Sequence, residues 1–261
     1  MLQHLRRLTA RERSRRTNLQ LGALLAFVAG AVNAGGFLAV QRYTSHMTGV
    51  VSGIADDLAL GSLRLAAAGA AALVAFVAGA AATALLVNWA RRRGLPGKYA
   101  LPLLLEAALL LLFGVTGAGL LHAPALLVPV TVLLLCFLMG LQNAVVTKIS
   151  HAEVRTTHVT GLVTDLGIEL GRWLYWNRDP SLDLRHRVQA DRARLRVHAL
   201  ILGAFFVGGL SGALGFKHVG YAVTLPLSAL LVGLALPGLL GGGNLSDDSD
   251  GDGGDGGNGP A

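Results

Sequence analysis

Six stretches of this chain, at residues 18–40, 65–88, 100–121, 125–146, 197–216 and 219–240, contain a single Asp, Glu, Lys or Arg between them, Glu106. Each is close to the roughly 20 residues that a helix needs to cross about 30 Å of hydrocarbon. Backbone amides in lipid must all be paired, within a helix or around a closed barrel, and apolar runs of this length fit helices rather than the roughly 10-residue strands of a barrel. Over the whole 261 residues, 53% are hydrophobic and 14% are charged, too apolar for a water-soluble domain. The expectation is an all-α integral membrane protein with six transmembrane helices.

Two semi-polar elements, 46–60 and 158–170, interrupt the series after the first and the fourth runs. The first is about 22 Å long as a helix, short of a crossing. Charge placement decides what such elements do. If neither crosses, every Lys and Arg except Arg42, Arg64 and Lys217 falls on one face of the membrane. If both cross, the basic clusters at 91–98 and 148–155 move to the opposite face. The positive-inside rule therefore favours six crossings plus two short non-crossing or re-entrant helices, with both termini cytoplasmic. Localisation is expected in the cell inner (plasma) membrane. The net charge of +7 belongs to these membrane-flanking clusters, so lipid headgroups rather than nucleic acid are the expected electrostatic partner.

The chain also repeats itself. Gly30-Ala31-Val32-Asn33-Ala34, Thr44-Ser45-His46-Met47-Thr48-Gly49-Val50-Val51-Ser52 and Phe76-Val77-Ala78-Gly79 return as Gly140-Leu141-Gln142-Asn143-Ala144, Thr156-Thr157-His158-Val159-Thr160-Gly161-Leu162-Val163-Thr164 and Phe206-Val207-Gly208-Gly209. Three crossings per copy is an odd number, so the copies, 18–121 and 125–240, are expected to lie antiparallel as an inverted three-plus-three repeat.

Chemistry must come from the polar groups inside this apolar frame. Ser45, Thr48, Ser52 and Asp56 fall three or four apart, on one helical face; Thr157, Thr160 and Thr164 repeat the spacing, with Asp165 and Glu169 nearby. Polar groups are costly against lipid, so these faces are expected to turn inward. The expected lining of a pseudo-symmetric pathway is Asn33, His46, Thr48, Ser52, Asp56, Gln142, Asn143, His158, Thr160, Thr164 and Asp165. The competing expectation is that the same side chains only tie helices together, with Gly49 and Gly161 allowing close approach. His46 and His158 are expected at helix starts, since two histidines alone make a poor metal site. Glu106 is expected to pair with an arginine of the 91–93 cluster, and Cys136 to act as a small buried hydrophobe. Trp173, Tyr175 and Trp176 are expected to anchor an interface, and 185–196 to form an amphipathic helix on the headgroups.

The remaining motifs exclude more than they assign. There is no phosphate-binding loop, nucleophile elbow, zincin motif or cysteine cluster, so no enzyme activity, metal or cofactor is expected. The basic residues 1–17 are expected to precede an uncleaved first helix. The Gly/Asp tail 241–261 is expected to be disordered; Asp248-Ser249-Asp250-Gly251-Asp252-Gly253 opens like a calcium loop but lacks the closing Glu.

The Gly-x-x-Asn-Ala and Thr-Gly segments, with Met139-Gly140-Leu141-Gln142-Asn143-Ala144 and Thr160-Gly161, resemble the YoaK family of uncharacterised bacterial multi-pass membrane proteins over residues 20–240. Where that family commonly has Asn after the first Thr-Gly, this chain has Val50. The resemblance implies placement and architecture but no activity. Function is expected to be that of a small-solute or ion transporter or channel, with a non-transporting scaffold or accessory subunit as the alternative and self-association as an open possibility.

Overall fold

The computed structural model describes residues 15–95, 97–149, 159–175 and 188–240. All regular structure among them is helical: α1 (Arg15–Val40), α2 (Met47–Ala59), α3 (Leu63–Arg92), α4 (Ala100–Gly119), α5 (Pro124–Ile149), α6 (Val159–Leu174), α7 (Arg192–His218), a 3-10 turn (Gly220–Val223) and α8 (Thr224–Leu240). Six are long and apolar enough to cross a membrane: α1, α3, α4, α5, α7 and the segment Gly220–Leu239. The protein is a multi-pass membrane protein, and α2 and α6 are the two short helices between crossings. His158, Trp176, the 1–14 terminus and the 241–261 tail lie outside the described residues. Of the expected 185–196 helix, residues 188–191 are not helical, and α7 starts only at Arg192. Asp191 fixes that start by accepting hydrogen bonds from the Ala193 and Arg194 amides at 2.9 and 3.0 Å, an N-cap.

Packing is organised by backbone contact at four glycines. An added Cβ on Gly30 would run into the Phe205 carbonyl, and one on Gly208 into the Phe27 carbonyl; likewise Gly140 meets the Phe76 carbonyl and Gly79 the Phe137 carbonyl. The α1/α7 and α3/α5 pairs thus cross through the same Phe-x-x-Gly step on every helix. Small residues allow this approach, and dispersion between backbones replaces the hydrophobic drive that lipid cannot supply. Within α1/α7, Gly22 lies near Ile201 and Gly35 against Phe216, so those two helices run parallel. On α7 the close approach falls at Phe205 and Gly208, one residue before the 206–209 segment.

Exchanging the halves (α1 with α5, α2 with α6, α3 with α7, α4 with α8) converts α1/α7 packing into α5/α3 packing and α2/α3 into α6/α7, and returns α4/α8 and α1/α5 to themselves. Of the larger contacts, α4/α5 has no counterpart of similar extent. Helix α4 lies antiparallel to α8, with the Ser228 hydroxyl donating to the Ala107 carbonyl at 3.1 Å and with Gly114 and Gly117 under Thr224 and Tyr221. Buried polar side chains tie the centre: Thr83 Oγ1 donates to the Leu141 carbonyl at 2.9 Å and Gln142 Nε2 to the Leu25 carbonyl at 3.2 Å. Bonds of this kind are worth about 0.6 kcal/mol each in a membrane bundle.

Candidate functional site: a cavity under the first short helix

Chain reversal after α1 builds the site. Gln41 takes a left-handed φ of 54°, uncommon for a residue with a side chain, and its amide donates to the Phe37 carbonyl at 2.8 Å. The chain then folds back along α1: the Phe37 and Tyr43 rings stack at 4.6 Å, and Ser45 Oγ donates to Asn33 Oδ1 at 2.7 Å. Asn33 lies seven residues before the end of α1, so α2 begins about 10 Å inside that end, by the 1.5 Å rise per residue. Helix α2 therefore starts beside the last two turns of α1 rather than beyond its end. It climbs back beside α3, with Ile54 seated on Gly69, and closes at Gly61, which takes φ 74° while Ser62 N donates to the Asp57 carbonyl at 2.7 Å.

Between the end of α1, α2, the start of α3 and the start of α5 lies a cavity of about 640 Å³. Its apolar lining is partly small-sided and includes Ala68, Ala72, Val132, Leu133 and Cys136. Polar groups, namely Gln41, Arg42, Tyr43, Thr44, His46 and Asp57, also line it. His46 occupies the N-cap position of α2 without a side-chain capping bond. Its ring lies over the first turn, where an added Cβ on Gly49 would strike it. That is a physical reason for glycine in the His-x-Thr-Gly segment.

The expected lining residues distribute as follows. His46 borders the cavity. Thr48, Ser52 and Asp56 are exposed and absent from its lining; the face of α2 toward the cavity is instead Gly49, Val50, Gly53, Ile54 and Asp57. Asn33 holds the fold-back. Gln142 is fully buried between α5 and α1, its Oε1 without a partner among the described residues. Asn143 donates to the Met139 carbonyl of its own helix at 2.9 Å. Thr160 and Thr164 are exposed on α6, bonded to each other through the Thr164 hydroxyl and the Thr160 carbonyl at 2.8 Å. Asp165 lies 3.9 Å from His198 Nε2. The described members are thus spread over several places rather than gathered on one path.

At the opposite end of the bundle, the counterparts of the cavity wall meet. Counting from the Phe-x-x-Gly steps, Ala68, Ala72, Pro129, Leu133 and Cys136 correspond to Val197, Ile201, Leu19, Ala23 and Ala26, and Val50 corresponds to Leu162. Those six form one packed cluster with Ala204 and Phe205. Val197, Ile201 and Leu162 are larger than Ala68, Ala72 and Val50, whereas Ala23 and Ala26 are smaller than Leu133 and Cys136. Glu169, 1% exposed, holds this end together: Oε1 accepts from Arg172 Nη1 and Oε2 from the Asp191 amide, both at 2.8 Å. Helix α6 is thereby clamped to the start of α7.

Glu106 corrects a further expectation. It is fully buried in α4, and neither carboxyl oxygen has a partner among the described residues, the arginines at 91–93 included. The register explains this: Tyr99 donates to the Lys148 carbonyl at 3.0 Å, which sets Glu106 level with the Leu141–Gln142 turn of α5, away from the end of α3. An unpaired buried polar group costs about 1–3 kcal/mol. Glu106→Leu is accordingly expected to raise the thermal midpoint of the purified protein; a lowered midpoint would show that the carboxyl stabilises the fold.

Comparison with known proteins adds kinship without chemistry. The profile of a family described as protein of unknown function (DUF1275) matches residues 21–236. The chain is 27% identical over 220 residues to the UPF0700 transmembrane protein YoaK of Bacillus subtilis (strain 168), a match covering 82% of this chain and 91% of that protein. No solved structure matches.

Proposed function

Because the chain belongs to the DUF1275 family of proteins of unknown function, its activity must be sought in its own geometry, and we propose that it is a small-solute transporter of the bacterial plasma membrane. In this reading the two halves are an inverted repeat. It also takes both termini and the α6 end of the bundle as cytoplasmic, which the positive-inside rule supports, and the cavity under α2 as facing outward. The protein acts on its solute by binding and release, not by catalysis.

The observation that carries the proposal is the contrast between equivalent places: an open cavity under α2 and a filled, clamped cluster under α6. A pathway that is accessible from one face and closed at the other is what alternating access requires of a resting state. Interhelical bonds from Thr83, Gln142 and Ser228 would also suit a scaffold, but a scaffold gives no reason for a cavity of this size. The test borrows the side chains of the closed end. Ala68→Val with Ala72→Ile, added to the open cavity, is expected to abolish solute uptake by proteoliposomes while leaving the thermal midpoint within a few degrees. Uptake that survives this filling would place the pathway elsewhere.

A further inference from the structure

The cavity under α2 carries two opposite charges that do not cancel. Arg42 and Asp57 both line it, yet neither forms an ion pair with the other, or with any other group, among the described residues. Two features make this more than a surface coincidence. Both side chains border one half-open volume whose remaining lining is largely apolar, and their backbone is fixed by the turn at Gln41 and by the closing turn at Gly61. A guanidinium offers planar donors matched to a carboxylate, and a carboxylate accepts from an ammonium. Ligand sites of this class pair an apolar body-binding volume with a few placed polar groups.

Resting on the transport reading, we infer that the site takes a zwitterion with a compact apolar body, the chemistry of a hydrophobic α-amino acid. The carboxylate meets Arg42, the ammonium meets Asp57, and the side chain lies against the apolar lining at Ala72, Val132, Leu133 and Cys136. A purely anionic or purely cationic molecule of the same shape would leave one of the two protein charges facing apolar ligand surface. Arg42 and Asp57 are thus specificity determinants rather than fold determinants.

Cys136, the chain's single cysteine, is buried behind the cavity wall, so occupancy is read from a thiol placed on the partly exposed lining by Val50→Cys in a Cys136→Ala background. The experiment measures the rate at which methyl methanethiosulfonate modifies that thiol in nanodiscs, in the presence of L-phenylalanine, 3-phenylpropanoate or phenethylamine at equal concentration. Scintillation proximity binding of tritiated L-phenylalanine serves as a readout independent of the thiol. L-Phenylalanine is expected to protect, with the two singly charged analogues about tenfold weaker. Arg42→Gln and Asp57→Asn should each reduce protection and tritium binding about tenfold with the thermal midpoint retained.

Equal protection by all three probes would overturn the inference and leave a merely apolar cavity. A position-50 thiol that reacts freely, with no phenylalanine protection and no tritium binding, would overturn it while sparing the open cavity. Charge-selective binding without uptake by proteoliposomes would uphold the zwitterion site and defeat the transport reading.

Discussion

Gly140→Ala is expected to disrupt the α3/α5 crossing, because the new methyl group would occupy the position of the Phe76 carbonyl. Overpacking against side chains is relieved by rotamer changes and costs about 1–3 kcal/mol; here the obstacle is backbone, so the helices must separate. The expected loss is about 3 kcal/mol, seen as a fall of roughly 6–12 °C in the thermal midpoint, and Gly140→Val should not accumulate as folded protein. Gly30→Ala, Gly79→Ala and Gly208→Ala should behave alike, since each glycine faces a carbonyl in the same manner. Gly203→Ala and Gly233→Ala are the controls. Nothing lies within 4 Å of a Cβ at either place, and both should be neutral or stabilising by up to about 1 kcal/mol. Equal effects at Gly140 and Gly203 would mean that the crossing does not organise the bundle.

The second large effect is expected at Glu169. Glu169→Ala removes the acceptor of both the Arg172 guanidinium and the Asp191 amide. The Arg172 guanidinium is half exposed and returns to solvent, so the cost falls mainly on the part-buried Asp191 amide, and a loss of about 1–2 kcal/mol is expected. Its structural consequence is release of α6 from α7, which would expose Ala26, Leu162 and Ile201. Glu169→Gln keeps an acceptor oxygen for the Asp191 amide but not the charge for Arg172, and should fall between wild type and Glu169→Ala. The measurement is the reactivity of a thiol introduced by Ala26→Cys in a Cys136→Ala background. An unchanged rate in the Glu169→Ala variant would show that Glu169 supports stability without guarding that end.

How far the sequence could be read depended on which force governed each feature. Crossing helices were legible because hydrocarbon thickness and charge exclusion act on every residue: the run 18–40 became α1 to Val40, and 65–88 became Leu63–Arg92. The short elements were legible for the same reason, 46–60 becoming Met47–Ala59. Which face of α2 meets the cavity was not. Three-and-four spacing groups Thr48, Ser52 and Asp56 together, but the rotation of the helix is set by Ile54 seating on Gly69, a contact between two apolar residues that no local pattern announces.

Glu106 illustrates a related limit. Proximity in sequence to an arginine cluster suggested a pair, whereas the α4/α5 register placed the carboxyl elsewhere. Phe-x-x-Gly occurs five times, at Phe27, Phe76, Phe137, Phe205 and Phe206, yet only backbone proximity distinguishes the four crossing steps from the copy at Phe206. Burial of Glu169 was equally hidden, because its partner amide at Asp191 lies 22 residues away.

The central claim, a pathway open under α2 and closed under α6, is tested most directly by sided thiol labelling in sealed vesicles of known orientation. A membrane-impermeant methanethiosulfonate reagent is applied to each face, against thiols introduced one at a time in the Cys136→Ala background by Val50→Cys, on the cavity lining, and by Leu162→Cys, in the packed cluster. The expected result is modification of the position-50 thiol from the extracellular face alone, with the position-162 thiol protected from both faces. Modification of the position-50 thiol from the cytoplasmic face, or equal protection of both thiols from both faces, would contradict it.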